Sequence, residues 1–323
     1  MKNFALFAAL WCGVVSASFV EKDFSVPLSV RGCLGTVSMA DLDQRVYSLG
    51  PENPTIHVIY SHGFADHRKG NPGLYQTFAS DALARTTVPE LPFHGDSRGS
   101  WAQRLMPLKT VDHFSHLADQ TQRVLDALAE EDAALRHVKV IRSGWSTGGL
   151  LALYELVHEG HRELAQNYSA AILYAPGLSV KPVLWVTPQS LVDDPSTLIY
   201  PPVPRSPLLR PYFAANLVAT SLYVQSQQYP ITVPTLVVLA DDDKDKYVGN
   251  ARTREWFLDQ LDRGAKVWIV NTPYKHGVAF HADVQALSTR FANGIAIGNV
   301  SERLGRGPGL YSIRDFDGLT STP

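Results

Sequence analysis

The stretch VKVIRSGWSTGGLLALYEL, residues 138–156, decides the fold of this chain. It passes from a short β-rich run through the pentapeptide Gly-Trp-Ser-Thr-Gly into an apolar run with helical character. A strand, a tight turn and a helix in this order form the context in which Gly-x-Ser-x-Gly becomes a nucleophile elbow. We therefore predict that the turn lifts the Ser146 hydroxyl above a sheet edge, with the helix N-terminus beneath it. An ordinary Gly/Ser turn is the alternative, and the flanking strand and helix favour the elbow.

The elbow requires glycine at its first and last positions. A side chain at Gly144 or Gly148 would collide with the neighbouring strand or helix, since the backbone approaches closely there.

Strand-like and helix-like runs alternate on both sides of this stretch. After a β-rich lead-in over residues 19–50, strands are predicted at 55–60, 86–91, 138–141, 170–174, 235–240 and 266–270, and helices at 75–84, 112–131, 150–157, 252–261 and 284–291. Short apolar strands that alternate with helices of these lengths imply an α/β fold, with a mostly parallel central sheet and helices on both faces.

The composition is that of a globular protein. The 323 residues are 45% hydrophobic and 19% charged, with a formal net charge of −2. This balance gives no electrostatic reason to expect nucleic acid as a partner. The first 18 residues predict a cleavable signal peptide: Lys2, an apolar run over residues 4–15 and small residues after it. That run is shorter than the roughly 20 residues that span a bilayer. We expect a secreted or periplasmic protein without an integral membrane segment in its mature chain; a buried N-terminal helix is the alternative.

One segment interrupts the alternation. Eight of the 21 prolines fall within residues 181–211, among scattered aliphatic and aromatic residues. A structureless loop of this length is uncommon inside a compact domain unless it has a function. We interpret it as a cap or lid over the active site, and a disordered linker is the alternative. The predicted organisation is a signal peptide (1–18), a core in two parts (19–177 and 230–298), a cap insertion (178–229) and a loosely packed C-terminal tail (299–323).

A serine hydroxyl needs a histidine to take its proton and a carboxylate to orient that histidine. After a nucleophile elbow the acid and then the histidine follow along the chain. Beyond His161 only two histidines remain, His276 and His281. His276 lies in the loop directly after the predicted strand 266–270, where a catalytic base belongs. We therefore favour His276 over His281.

The acid is expected just after the strand 235–240, where the sequence DDDKDKYV offers four carboxylates. We choose Asp245, which heads an Asp-x-x-Val run before the next helix, and Asp243 is the runner-up. A calcium loop would need Gly and Glu where Lys246 and Arg252 stand. The sequence therefore predicts neither a metal site nor a cofactor.

A tetrahedral intermediate needs two amide donors. We predict that the oxyanion hole is formed by the backbone N–H groups of Thr147, which follows the nucleophile, and Phe64, which follows a buried strand. Gly63 allows the backbone to approach closely there. His62 and His94 are interpreted as structural histidines.

Together these pieces resemble the α/β-hydrolase superfamily, in the branch of serine aminopeptidase-like proteins and monoacylglycerol lipase-like or lysophospholipase-like esterases. The matching pieces, which lie within residues 55–292, are SHGF (61–64), HGDS (94–97), GWSTGG (144–149), the turn near Asp245, and HG (276–277). The sequence departs from this branch at Trp145, where a histidine commonly precedes the serine. The resemblance implies the α/β-hydrolase fold with a cap after the sixth strand, and ester, thioester or peptide substrates.

The resulting hypothesis is a serine hydrolase that cleaves carboxylic esters, lipid-like or acyl, through an acyl-enzyme. Ser146 attacks, His276 transfers protons and Asp245 orients His276. Two alternatives stay open. One is a proline-type serine aminopeptidase, in which Asp193 or Asp194 would bind a free amine. The other is a hydrolase-like binding protein without turnover.

Overall fold

The computed structural model describes residues 19–27, 30–32, 35–37, 43–63, 66–91, 113–181, 209–316 and 318. The strands are β1 (Phe19–Pro27), β2 (Val30–Gly32), β3 (Gly35–Val37), β4 (Asp43–Pro51), β5 (Ile56–Ser61), β6 (Ala84–Pro89), β7 (Lys139–Trp145), β8 (Tyr168–Tyr174), β9 (Thr235–Leu239), β10 (Val267–Asn271) and β11 (Gly309–Ser312). The helices are α1 (Pro72–Asp81), α2 (His113–Glu131), α3 (Thr147–Val157), α4 (Arg162–Gln166), α5 (Leu209–Ser226), α6 (Asn250–Asp262), α7 (Ala282–Ile297) and α8 (Val300–Leu304).

Nine of the described strands form one sheet in the order β1-β4-β6-β5-β7-β8-β9-β10-β11. Every neighbouring pair from β6 to β11 is parallel. Strands β1, β4 and β6 are joined by antiparallel pairs at one end of the sheet, and β2 and β3 form a separate antiparallel pair. The prediction of a mostly parallel sheet is confirmed.

Helices cover both faces of this sheet, and β9 shows how its sequence serves both. Successive side chains of a strand point to opposite faces. Leu236 and Val238 belong to a buried cluster with residues of α1 and α7. Val237 and Leu239 belong to a second cluster, with residues of α2, α3, α5 and α6. A continuous apolar run is therefore what a strand buried on both faces requires.

The parallel arrangement brings the predicted site residues to one edge of the sheet. The carboxyl ends of β5, β7, β9 and β10 all lie at that edge, because these strands run in the same direction. Gly63, Ser146, Asp245 and His276 each come shortly after one of these ends. Ligands of open α/β sheets bind outside the carboxyl ends of the strands.

The expectation of a loosely packed tail is wrong for residues 300–316. Strand β11 pairs in parallel with β10 and adds a ninth strand to the sheet, among the residues described. Val300, Leu304, Ile313 and Phe316 are buried in the cluster that includes α7. An edge strand held by backbone hydrogen bonds needs no long apolar run, which is why the sequence pattern gave little sign of it.

Helix α5 is a second feature that the sequence pattern does not predict. It occupies the later part of the predicted cap insertion, and its Leu217 and Val224 are buried against the cluster that includes α3. The predicted signal peptide, the HGDS sequence with His94, and residues 182–208 of the predicted cap lie outside the described residues. Within the described ranges, no helix is long and apolar enough to cross a bilayer.

Candidate active site

Ser146 lies at a sharp turn between β7 and α3. Its backbone has φ +56° and ψ −114°, in a region that residues with side chains rarely occupy. Three backbone hydrogen bonds fix this turn: the Ser146 N–H donates to the carbonyl of Tyr174, and the Ser146 carbonyl accepts from the N–H groups of Leu150 and Gly177, each at 2.9 Å. The serine is thus held in a strained conformation by bonds to β8, to α3 and to the segment after β8.

The two glycines of the pentapeptide are required by close backbone contact. A Cβ atom on Gly144 would lie 2.3 Å from the carbonyl oxygen of Gly148. A Cβ atom on Gly148 would lie 2.0 Å from the carbonyl oxygen of Ser61, at the end of β5. This confirms that a side chain at either position would collide with its neighbours.

The side chains of Ser146, His276 and Asp245 form a hydrogen-bonded chain. Nε2 of His276 lies 2.8 Å from Oγ of Ser146, and Nδ1 lies 3.0 Å from Oδ2 of Asp245. The second histidine considered above, His281, instead stacks on the ring of Tyr274, with 3.5 Å between ring centroids. The imidazole that reaches the serine therefore comes from residue 276.

Asp245 is buried and bound by several donors. Its Oδ1 accepts from the N–H groups of Tyr247 and Val248 at 2.9 and 3.0 Å, and its Oδ2 accepts from the Asn250 amide at 2.8 Å. Burial raises the pKa of this carboxyl, but the nearby His276 imidazole and the hydrogen bonds lower it to about 2. Asp245 is therefore ionised at neutral pH, and its carboxylate can accept a hydrogen bond from the Nδ1–H of the imidazole.

The other aspartates of this turn face elsewhere. Asp243 is exposed. Asp241 pairs with Lys244 at 3.2 Å, and Asp242 lies 3.6 Å from Lys181. Among the residues that the structure describes, no group of three or more His, Cys, Asp or Glu side chains is arranged to hold a metal ion.

One predicted oxyanion donor has a defined place. Thr147 is the first residue of α3 and is buried beside the nucleophile. The first N–H groups of a helix have no acceptor within the helix, so this amide can serve a ligand. Phe64, the other predicted donor, lies outside the described residues.

The loop that leads to residue 64 is held by His62. Its Nε2 accepts from the N–H of Leu91 at 2.9 Å, and its Nδ1 lies 2.9 Å from the carbonyl oxygen of Gly63. An Nε2 that accepts leaves the proton on Nδ1, so the buried ring is neutral and bridges two backbone segments. This matches the structural role expected for His62.

Comparison with known proteins supports the fold. No protein-family model matches the sequence, and no curated protein matches it. Several solved structures match the fold of this chain. An esterase from Pyrococcus furiosus matches with a TM-score of 0.50 at 13% identity, over 90% of this chain and 92% of that one. A soluble variant of the monoglyceride lipase from Saccharomyces cerevisiae matches with a TM-score of 0.54 at 11% identity, over 78% and 92%.

A third structure, the acylaminoacyl peptidase from Pyrococcus horikoshii, matches with a TM-score of 0.53 at 13% identity, over 84% of this chain and 41% of the other. The chain has the α/β-hydrolase fold. At these identities the likeness concerns the fold alone.

Sequence reasoning missed a buried ionic network that braces the elbow of this α/β-hydrolase fold. Arg142 on β7 and Glu155 on α3 are fully buried and form a bidentate pair at 2.6 and 3.0 Å. Thr121 and Tyr168 also donate to Glu155, at 2.9 and 2.7 Å, and Arg142 donates to the Ser61 hydroxyl at 2.9 Å. The pair joins the strand before Ser146 to the helix after it. The available signal was a charged residue, Arg142 or Glu155, within each of two largely apolar runs.

Proposed function

We propose that this protein is a serine hydrolase that cleaves carboxylic esters through an acyl-enzyme intermediate. The observation that carries the proposal is the hydrogen-bonded chain from the Ser146 hydroxyl through the His276 imidazole to the Asp245 carboxylate. A hydroxyl at an elbow, beside a base that a carboxylate orients, is the arrangement that activates serine as a nucleophile. Solved structures of this fold include proteins named esterase and monoglyceride lipase.

In the proposed reaction, Oγ of Ser146 attacks the carbonyl carbon of the ester while Nε2 of His276 takes the hydroxyl proton. The negative charge that develops on the carbonyl oxygen is stabilised by the N–H of Thr147 and, as we predict, by that of Phe64. The intermediate then loses the alcohol, which leaves with the proton from His276, and the acyl group stays on Ser146. A water molecule, deprotonated by His276, releases the carboxylic acid and restores the serine.

The test replaces Ser146 by alanine. Hydrolysis of p-nitrophenyl acyl esters and labelling by a fluorophosphonate probe should both be lost, while the thermal unfolding of the variant stays close to that of wild type. Exposed Ser80 offers a matched control, since Ser80→Ala removes a hydroxyl far along the chain from the elbow. Ester turnover that survives in Ser146→Ala would refute the proposal.

The choice of bond is tested with a panel. Acyl esters, a lysophospholipid and aminoacyl arylamides, with a proline arylamide among them, are compared on the purified protein. Higher kcat/KM on acyl esters than on arylamides supports the proposal. The reverse order would indicate a peptidase, and no turnover with no labelling would indicate a binding protein.

Two further expectations belong to this proposal. We propose that residues 1–18 direct export and that the segment 178–229 contributes a cap over the site. N-terminal sequencing of the exported protein tests the first, with cleavage near residue 18 as the expected result. Activity towards long-chain relative to short-chain esters, after replacement of residues 182–208 by a short linker, tests the second.

A further inference from the structure

Trp145 lies at the point where three segments of the candidate site meet. It ends β7, directly before Ser146, and it is only 2% exposed. Its indole N–H donates to the main-chain carbonyl oxygen of His276 at 2.8 Å. The indole also packs on the His276 ring and edge-on against Phe280, with centroid distances of 5.5 and 5.1 Å.

The same indole supports the loop after β5. A Cβ atom on Gly63 would lie 2.8 Å from Cε3 of Trp145, so the backbone at residue 63 rests directly on the ring. One side chain, on the residue directly before the nucleophile, therefore contacts both the backbone of the proposed base and the loop that leads to a predicted oxyanion donor.

Two hydrogen bonds hold His276, one at its ring and one at its main chain. Asp245 binds the ring at Nδ1, at 3.0 Å, which sets its tautomer and rotation. Trp145 donates to the main-chain carbonyl of His276, which fixes the position of the backbone that carries the ring. The distance of 2.8 Å between Nε2 and Oγ of Ser146 depends on both anchors. Catalysis is sensitive to such placement, since a misplacement of about 1 Å can cost about 10²-fold in rate.

We infer that Trp145 is a positioning residue for the proposed reaction, and that its indole N–H, in addition to its bulk, holds His276 in place to accept the serine proton. This inference rests on the proposed function. It gives a chemical meaning to the position at which the sequence departs from the histidine common in the branch it resembles.

Two substitutions separate the donor from the bulk. Trp145→Phe keeps an aromatic ring but removes the N–H. Trp145→His keeps a five-membered ring on the same Cβ, with a nitrogen that can donate from the position of the indole N–H, but removes the benzene ring that packs on Gly63. If the donor matters, kcat should fall about 10²-fold in the phenylalanine variant and about ten-fold or less in the histidine variant, with KM little changed in both.

Trp268 provides the matched control. It is also 2% exposed, it lies at the opposite end of β10 from the loop with His276, and its indole N–H donates to the carbonyl of Arg306 at 3.0 Å. Trp268→Phe removes the same kind of bond, so it should lower the free energy of unfolding as Trp145→Phe does and leave kcat unchanged.

Turnover of p-nitrophenyl esters and the rate of fluorophosphonate labelling are measured on all four proteins. A kcat for Trp145→Phe equal to or above that of Trp145→His overturns the inference, and so does a fall in kcat for Trp268→Phe as large as that for Trp145→Phe. If Trp145→Phe fails to fold, Trp145→His alone tests the inference. A kcat within about ten-fold of wild type then supports the role of the N–H donor, and a larger fall in kcat refutes it. A wild type that neither turns over esters nor becomes labelled refutes the proposed function itself, and this inference with it.

Discussion

Replacement of Asp245 by asparagine should inactivate the protein, because the proton of the His276 imidazole would move from Nδ1 to Nε2. The Oδ1 side of residue 245 faces the N–H groups of Tyr247 and Val248, so the amide oxygen of an asparagine has to stay there. Its NH₂ group would then face Nδ1 of His276 and donate to it. The imidazole proton would move to Nε2, which could no longer accept the proton of Ser146.

The size of the effect on activity follows from the wrong tautomer of His276, and the size of the effect on stability follows from the pKa of Asp245. Loss of the correct tautomer in a serine–histidine–aspartate system lowers kcat by about 10⁴-fold. The pKa of the Asp245 carboxyl falls from 3.8 to about 2 on folding. With about 1.4 kcal/mol for each pKa unit, the ionised carboxyl contributes about 2 kcal/mol to the free energy of unfolding while the imidazole beside it is charged, and less once that charge is lost.

The pH dependence of that contribution follows from the direction of the shift. A carboxyl whose pKa is lower in the folded state stabilises the fold above its unfolded pKa, near 3.8, and loses this effect as the pH falls through its folded pKa, about 2. Urea unfolding of wild type and Asp245→Asn should therefore differ by about 2 kcal/mol at about pH 5, and the difference should shrink below about pH 4.

The assay is p-nitrophenyl ester turnover under saturating substrate, with the labelling rate of Ser146 as a second readout. Asp243→Asn is the control, because it makes the same chemical change at an exposed carboxylate of the same turn. We expect Asp243→Asn to keep wild-type kcat. A kcat for Asp245→Asn within about ten-fold of wild type, or a loss caused by Asp243→Asn instead, would show that the orientation argument is wrong.

Three other outcomes are expected. Glu155→Gln leaves Arg142 buried without its counter-charge and should lower the free energy of unfolding by about 3–5 kcal/mol in urea titrations. The control Glu159→Gln, at an exposed carboxylate, should change the free energy of unfolding little. Equal effects of the two substitutions would contradict this prediction. Ile313→Ala should cost about 2–4 kcal/mol in the same assay if the C-terminal segment belongs to the core, and no loss would contradict that placement. Ser146→Gly should abolish turnover yet raise the unfolding midpoint, because glycine tolerates the local backbone; a lower midpoint would argue against strain.

The sequence could predict the elements whose signals are local. The elbow was readable because two glycines, a serine, a strand and a helix lie within 19 consecutive residues. The order of acid and histidine along the chain then left two histidines, and His276 is the one whose Nε2 lies 2.8 Å from the serine oxygen. Local composition alone left Asp245 and Asp243 open, because the turn that points one of them at His276 is set by backbone hydrogen bonds.

The features that the sequence did not predict depend on contacts between distant residues. Strand β11 is four residues long and is defined by its pairing with β10. The role of Trp145 depends on a carbonyl oxygen 131 positions later in the chain. Helix α5 follows a proline-rich stretch and is anchored by Leu217 and Val224 against α3. None of these partners can be identified from the surrounding sequence.

The strained backbone at residue 146 sets two evolutionary pressures against each other. Conformations of this kind cost on the order of 1–3 kcal/mol, a noticeable part of the 5–15 kcal/mol that typically separates folded from unfolded protein. Selection for a robust fold alone would favour glycine at this position, so a serine persists there only while its chemistry is useful to the organism. In a lineage that no longer needed turnover, residue 146 is therefore where drift towards a more stable but inert molecule would be expected first.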